Sequence, residues 1–464
     1  MTATSSTPSA PPAISVIGTG YLGATHAAAM AELGFTVTGA DTDPAKVDAL
    51  ARGDVPFYEP GLPELLRRHT ETARLSFTSS ISEAVAAADV HFICVGTPQQ
   101  RGSNAADLSA VEAATLAVAR AMTHDGLIVG KSTVPMGTAA RLRTLAQAAA
   151  PDGVHVDLVW NPEFLREGKA VEDTLHPDRI VLGSVAGADL GPLLEIYATP
   201  LGAGTPLIRC DLPTAELVKV SANAFLATKI SFINAIAEVC ESAGADVAVL
   251  ADALGHDARI GRQFLDAGLG FGGGCLPKDI RALAHRAGEL GAGRAAALLQ
   301  QVDEINMAQR QRVIDTVLQV CGGSVLNRRI GVLGAAFKPL TDDVRDSPAL
   351  NVAAALHLRG AQVVVFDPQA RATAQRQFPT LTFGGSVTEA VTDADAVLVL
   401  TEWNEFTSMD PAALAALVSS PTVVDARHCL DAERWRAAGW QVHGLAPAGH
   451  APAPLRAADA LTPV

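Results

Sequence analysis

Short apolar runs bounded by glycine, proline or aspartate alternate along this chain with longer stretches whose apolar residues recur every three or four positions. The first kind predicts buried strands and the second amphipathic helices. AISVIGTGYLGATHAAAMAELGFTVTGADTD reads as a strand, a glycine turn, a helix and a second strand that ends in Asp41. The pattern then repeats: FTVTGADTDPAKV is echoed by AQVVVFDPQARA, ADVHFICVGTP by ADAVLVLTEW, and ISVIGTG by IGVLGAA. Two α/β domains of one design are expected. Between them, TAELVKVSANAFLATKISFINAIAEVCESAG places Val218, Phe225, Phe232, Ile236 and Val239 at a spacing suited to one long buried helix, opened at Pro213 and Thr214 and closed at Gly244. The stretch AALLQQVDEINMAQRQRVIDTVLQV predicts a further helix leading into the second α/β domain.

Composition narrows the function classes. At 464 residues, two or three domains are expected, and 48% hydrophobic with 18% charged residues is the balance of a globular chain. A formal charge of -14 speaks against general attraction to nucleic acid or to an anionic membrane, so an anionic ligand must be held by local groups. The opening MTATSSTPSAPP lacks the basic start and apolar core of a signal peptide, and no apolar run of about 18 residues predicts insertion into a membrane. Six scattered cysteines fit reduced thiols in a cytoplasm.

The glycines give the first chemistry. Gly18, Gly20 and Gly23 form GxGxxG after a strand and before a helix, allowing a tight turn, close approach of backbone to a pyrophosphate, and packing of helix on strand. The helix N-terminus then faces the phosphates. Asp41, about 20 residues on, is placed to accept from an adenosine ribose and to repel a 2′-phosphate, favouring NAD over NADP; a capping aspartate is the alternative. The fold expected is therefore α/β, with two Rossmann-like doubly wound parallel-sheet domains joined by a central helical domain. Its divisions are a tail at 1–12, a NAD-binding domain at 13–210, a helical domain at 211–318 that suggests a dimerisation core although a monomeric hinge would look the same, a second Rossmann-like domain at 319–446 and a tail at 447–464. In that second domain the glycine loop becomes GAAFKPLTDDVRDSP, with Lys338 and Arg345, and is expected to serve another ligand or a shared cleft.

FGGGCLPKDI sets three glycines before Cys275. Pro277 suits a first helical turn, so Cys275 is expected at or just before a helix N-terminus, where the dipole and Lys278 would favour thiolate. An inert, half-buried cysteine is the alternative, and the preferred reading for the other five. Simple alcohol oxidation needs no such nucleophile; oxidation of an aldehyde onward to an acid does, through a thiohemiacetal, a thioester and hydrolysis. Lys219 and Asn223, four apart on the central helix, share a face and could stabilise an oxyanion, although an exposed lysine beside a packing asparagine would look the same. Asp279 and Glu163 are candidates to orient or deprotonate water. No metal is expected.

These motifs, in order from about residue 13 to about 446, resemble the UDP-glucose/GDP-mannose dehydrogenases: GTGYLG, VGTP, STVPMGT, NPEFLREG, HPDRIV, the helix with Lys219 and Asn223, FGGGCLPKD and AFKPLTDDVRDSP. The resemblance implies two successive oxidations of the 6-hydroxymethyl of a sugar nucleotide to the uronate. It implies Cys275 as nucleophile, Lys219 and Asn223 as stabilisers of the oxygen anion, and Asp279, Thr133 and Glu163 as handlers of water and its protons. Cofactor contacts are implied at Gly18, Gly20, Tyr21, Leu22, Gly23, Asp41, Lys46, Thr97, Thr133, Glu167, Lys278 and Arg345. Substrate contacts are implied at Glu163, Phe164, Leu165, Arg166, Glu167, Lys219, Asn223, Arg259, Phe264, Leu265, Asp266, Ala267, Gly268, Gly272 and Lys338, with Arg259 matching an arginine that in some members acts across a dimer interface. NPEFLREG followed by HPDRIV is similar to the UDP-glucose branch, while Leu276 after the cysteine also occurs in enzymes for GDP-mannose. FGGGC departs from the commoner FGGSC, removing a hydroxyl beside the thiol.

Two rivals compete. A β-hydroxyacid dehydrogenase pairs a dinucleotide domain with a lysine and an asparagine, but needs neither Cys275 nor a second α/β domain. A non-catalytic nucleotide-sugar sensor would have no reason to keep Cys275, Lys219, Asn223 and Asp279 together.

Overall fold

Strands such as ISVI, buried at every position, belong inside a sheet covered on both faces. The computed structural model describes residues 11–445, so the expected tails lie outside the described residues apart from 11 and 12. The chain divides into two compact units, one running to Ala222 and taking in His285–Gly291, the other holding Asn223–Ala284 and the described residues from Ala292 onward.

The first unit contains β1 (Ile14–Ile17), β2 (Val37–Ala40), β3 (Leu75–Thr78), β4 (Val90–Ile93), β5 (Gly126–Gly130), β6 (Val156–Trp160), β7 (Ile180–Gly183) and β8 (Leu207–Cys210). Their order is β3-β2-β1-β4-β5-β6-β7-β8, parallel throughout except where β7 meets β6. The first six strands have the 3-2-1-4-5-6 order of dinucleotide-binding folds, which places a switch point between β1 and β4. Successive residues alternate between two cores: Ile14, Val16, Phe92 and Val129 face one, and Ile17, Ile93 and Ile128 the other.

The second unit repeats this order with β9 (Arg329–Leu333), β10 (Gln362–Phe366), β11 (Thr382–Phe383), β12 (Ala396–Val399), β13 (Thr422–Asp425) and β14 (Gln441–His443), arranged β11-β10-β9-β12-β13-β14 and all parallel. The repeat visible in the sequence is thus a repeat of topology. Helical residues that precede this sheet come mainly from Leu212–Ala243, Leu276–Glu289 and Gly293–Val320.

The helix Leu212–Ala243 corrects one expectation. It is long and apolar enough to cross a membrane by length and composition, yet it carries the buried charges Glu216 and Lys219. Glu216 accepts hydrogen bonds from the N–H groups of Gly137 (2.7 Å) and Ala139 (2.6 Å), as a packed helix of a folded domain does. Nor is it buried all round, because Phe225, Phe232 and Val239 are exposed in the single chain (66%, 49% and 60%).

A buried cation follows β5. Lys131 donates to Asn161 Oδ1 (3.0 Å) and to Tyr197 Oη (3.4 Å), and Tyr197 in turn donates to Asn161 Oδ1 (2.5 Å). Burial lowers its pKa to about 8, against the partial support of Cys94 and Glu163. On the same core face His26 lies edge-on to Phe92 and is held neutral, first by burial and then by Lys131. Since the unfolded lysine keeps its proton to about pH 10.4, the unfolded chain binds more protons above pH 8 and stability rises with pH there. Relative to Lys131→Met, the unfolding free energy of the parent chain should gain about 2 kcal/mol between about pH 7 and about pH 10, measured by denaturant titration of both proteins at each pH; an unchanged difference would show that Lys131 is not held in a charge-averse site.

Candidate active site

In the first unit the glycine turn has the geometry its sequence predicts. Gly18 has φ +89°, a conformation other L-residues rarely adopt, and a Cβ there would lie 2.6 Å from Val95 Cγ1. A Cβ at Gly23 would overlap the Gly18 carbonyl, whereas Gly20 faces open space. The helix Tyr21–Glu32 starts at once, so unpaired backbone N–H groups point at that space, a cradle suited to a pyrophosphate. Half-buried Leu22 packs against the core below.

Asp41 follows β2, and its Oδ2 accepts from Thr19 N–H (2.9 Å) and Lys46 Nζ (2.8 Å). Burial pushes its carboxyl up, but Lys46 and the N–H groups of Asp43 and Thr19 outweigh burial and hold it below the usual carboxylate range. It therefore presents a fixed negative charge beside the turn. Thr97 donates to the carbonyl of Thr133 (2.7 Å), tying VGTP to STVPMGT.

NPEFLREG is a loop, as its Asn-Pro start predicts. Glu163 accepts Leu165 N–H (2.7 Å) with one oxygen and pairs with Lys219 Nζ (3.0 Å) through the other, so Lys219 is a buried partner and no exposed bystander. The Arg179 guanidinium stacks 3.7 Å from the Phe164 ring centroid. Arg166 is committed to Asp173 (2.5 Å). Residue Glu167 precedes Gly168, where sequence reasoning missed a partner: Glu59, 3% exposed, accepts the N–H groups of Gly168 and Ala170 (each 2.7 Å) and the hydroxyl of Tyr21. Burial first, then Glu59, raises the Tyr21 pKa, which keeps that hydroxyl a donor. Glu59 thus fastens the end of NPEFLREG to the first residue of the cofactor helix.

In the second unit, Cys275 is exposed and directly precedes the helix Leu276–Glu289, whose first i to i−4 bond runs from Asp279 N–H to the Cys275 carbonyl (3.0 Å). Asp279 is 2% exposed and receives Asn223 Nδ2 (2.7 Å) on one oxygen and Lys278 Nζ (2.6 Å) on the other. This corrects the expected role of Lys278, whose charge is offset by Asp279 one residue away and is not available to the thiol alone.

The loop from Phe264 to Gly274 has no regular secondary structure of its own beyond turns, so its backbone groups need other partners. Gly268 N–H donates to Asn234 Oδ1 (2.8 Å), and Leu269 N–H to the Ala426 carbonyl (2.8 Å). Arg427 Nη1 donates to the Gly270 carbonyl (2.9 Å). Asn306 accepts Phe271 N–H (2.8 Å) and donates to the Phe271 carbonyl (3.0 Å). Leu265 and Ala267 are buried, while Asp266 reaches out to Arg262 (2.8 Å). Gly272 lies so close to residues 346–348 that a Cβ would meet Pro348 Cδ at 2.6 Å. Arg259 is exposed and paired with Asp257 (2.6 Å), and Lys338 Nζ lies 5.7 Å from the Phe337 ring centroid. Asn234, Asn306 and Arg427 escaped sequence reasoning; the available signal was an asparagine set inside an apolar helical face, as in FINAIA and EINMA.

The second unit does not repeat the cofactor chemistry of the first. Asp367, at the end of β10, stands where Asp41 stands at the end of β2, but it is 2% exposed and fully engaged. Its oxygens accept the N–H groups of Ala335 (2.8 Å), Ala336 (2.9 Å), Gln369 (3.0 Å) and Ala370 (2.8 Å) and the Trp403 indole (3.1 Å).

A dinucleotide cradle at the switch point and an acid after the second strand define a nucleotide-dependent dehydrogenase. Family models agree in order along the chain: the NAD binding domain of the UDP-glucose/GDP-mannose dehydrogenase family on residues 12–200, its central domain on 213–308 and its UDP binding domain on 331–432. The chain belongs to the UDP-glucose/GDP-mannose dehydrogenase family, and is an oxidoreductase that uses NAD. It is 42% identical over 436 residues to UDP-glucose 6-dehydrogenase TuaD of Bacillus subtilis, covering 93% of this chain and 92% of that one. A UDP-glucose dehydrogenase structure from Pyrobaculum islandicum matches at TM-score 0.86 and 38% identity, over 95% of this chain and 99% of the other. A GDP-mannose dehydrogenase from Pseudomonas aeruginosa matches at TM-score 0.51 and 29% identity, over 93% and 99%.

Asn306→Ala removes both bonds to Phe271 and leaves two buried backbone groups unpaired, at about 1–3 kcal/mol each. A loss of about 2–4 kcal/mol of unfolding free energy is expected by denaturant titration; a loss below about 0.5 kcal/mol would show that the loop is held without it.

Proposed function

We propose that this enzyme oxidises C6 of UDP-glucose twice, through the aldehyde, to UDP-glucuronate, with Cys275 as the covalent nucleophile. One observation carries the reading: Cys275 stands exposed at a helix start, at the end of a loop whose backbone is braced by Asn234, Asn306 and Arg427. UDP-glucose is favoured over GDP-mannose because both the identity and the TM-score are higher for the UDP-glucose dehydrogenase than for the GDP-mannose dehydrogenase.

NAD, when bound, supplies the acceptor for two electrons at each oxidation. Gly18, Gly20, Tyr21, Leu22, Gly23, Asp41 and Lys46 would hold its adenosine diphosphate half, with Thr97, Thr133, Glu167, Lys278 and Arg345 as further contacts. The Cys275 sulfur adds to the aldehyde carbon as a thiolate, and oxidation of the thiohemiacetal gives a thioester. Lys219 and Asn223 stabilise the negative oxygen at each tetrahedral stage. Water then attacks the thioester carbon, its protons passing to Asp279 or Glu163, with Thr133 orienting it, and the uronate leaves as the C–S bond breaks. The substrate contacts are Glu163, Phe164, Leu165, Arg166, Glu167, Lys219, Asn223, Arg259, the stretch 264–268, Gly272 and Lys338. A working division assigns NAD to 13–210, the helical link to 211–318 and the UDP-sugar to 319–446, in the same order as the family matches.

We further propose a cytoplasmic homodimer. Phe225, Phe232 and Val239 are exposed and recur every seven residues, which lines them up along one side of their helix in the manner of a helix-to-helix seam.

Two NADH per UDP-glucose consumed are expected from the wild-type enzyme, and Cys275→Ser should stop uronate formation. A ratio of one, or normal uronate output from Cys275→Ser, would overturn covalent catalysis. Phe225→Glu with Phe232→Glu should convert the dimer to a folded monomer in light scattering at micromolar concentration, and an unchanged mass would remove this stripe from the interface.

A further inference from the structure

The three glycines before Cys275 press against the loop that replaces the glycine turn of the second sheet. Gly273 N–H donates to the Arg345 carbonyl (2.9 Å), and a Cβ at Gly273 would meet the Phe337 ring at 2.8 Å. Gly274 is different, because what lies over it is a cation. A Cβ there would sit 2.5 Å from both Nη1 and Nη2 of Arg345, and against its Cζ, so the guanidinium lies face-on over the Gly274 Cα. A serine at this position, as in the commoner FGGSC, would drive the guanidinium away by about 1 Å to reach ordinary contact.

Arg345 is held in that place from behind. Its Nε donates to Asp343 Oδ1 (2.9 Å) and its Nη2 to Asp343 Oδ2 (2.7 Å), a two-pronged pair, while its own backbone N–H donates to Asp343 Oδ1 (2.9 Å). The pair is a dipole whose positive end rests on the residue adjoining the nucleophile. Lys278, the cation nearest in sequence, is offset by Asp279 (2.6 Å).

We propose that Arg345, seated on Gly274, is the charged side chain that activates Cys275, acting through space on the thiolate, with the glycine making room for it. The proposal rests on the reading of Cys275 as nucleophile and names what tunes it. It makes Arg345 a positioning and electrostatic residue already in the free enzyme, before NAD or sugar binds. A cation seated on the residue next to a thiolate favours the ionised form, and moving or removing it costs reactivity near neutral pH.

The test is the rate at which iodoacetamide alkylates Cys275 in the full-length enzyme without NAD or sugar, followed by peptide mass from about pH 6 to about pH 9. Arg345→Gln should slow alkylation at about pH 7 by about 3- to 10-fold and move the pH curve toward higher pH. Arg345→Lys, which keeps the charge but cannot lie flat, should be slowed less. Gly274→Ser, which keeps both charges and displaces the guanidinium, should be slowed by about 2-fold, and it serves if the arginine variants unfold. Superimposed curves for wild type and Arg345→Gln, or for wild type and Gly274→Ser, would overturn the proposal. The nucleophile reading fails separately: wild-type enzyme fully alkylated at Cys275 that still makes uronate would overturn it, whatever the arginine variants do.

Discussion

Backbone amides that neither a helix nor a sheet can pair are the constraint on which the second unit is organised. From Gly268 to Gly273 the chain runs without regular hydrogen-bonding partners, directly before Cys275. Such a segment is stable only if side chains or other backbone groups take over. Asn234, Asn306, Arg427, Ala426 and the carbonyl of Arg345 do so, and all five lie 34 residues or more away along the chain. The position of Cys275 is therefore a property of the whole unit. A change in the packing of Gly293–Val320, which carries Asn306, or of β13, which leads into Arg427, is passed to the loop before Cys275 through hydrogen bonds of about 3 Å.

The same topology supports two kinds of chemistry because the loops differ, as fold-level reasoning demands. After β1 the turn is short, Gly20 faces open space, and the aspartate beyond β2 keeps a charge on display. After β9 the loop is longer, and the matching aspartate is consumed in holding it. In the first unit the backbone makes room for a ligand; in the second it makes room for protein, so that FGGGC and residues 337–348 can interlock.

How much of this was legible in the sequence depends on range. The first strand, the glycine turn, the helix and the second strand were legible because period and turn chemistry are local, and β1 to β2 falls within one short window. The doubling of the fold was legible because apolar runs repeat. The exposure of Phe225, Phe232 and Val239 was not, since an apolar stripe reads the same whether it meets a core or lies open in a single chain. The cancellation of Lys278 by Asp279 was missed because adjacent residues on a helix were judged by their separate charges. Glu59 and Asn306 were invisible for a different reason: their partners lie 109 and 35 residues away, and no local pattern marks a hydrogen bond of that span.

Asp367 has a consequence for anyone who would re-engineer this scaffold. To give the second sheet a nucleotide-cofactor site like the first, its aspartate would have to be released to solvent, and five donors would then need new acceptors at once: four backbone amides and one indole. No single substitution supplies them. The symmetry of the two halves is thus one of strand order alone, and a designer could exchange loops from the second half into the first more readily than the reverse.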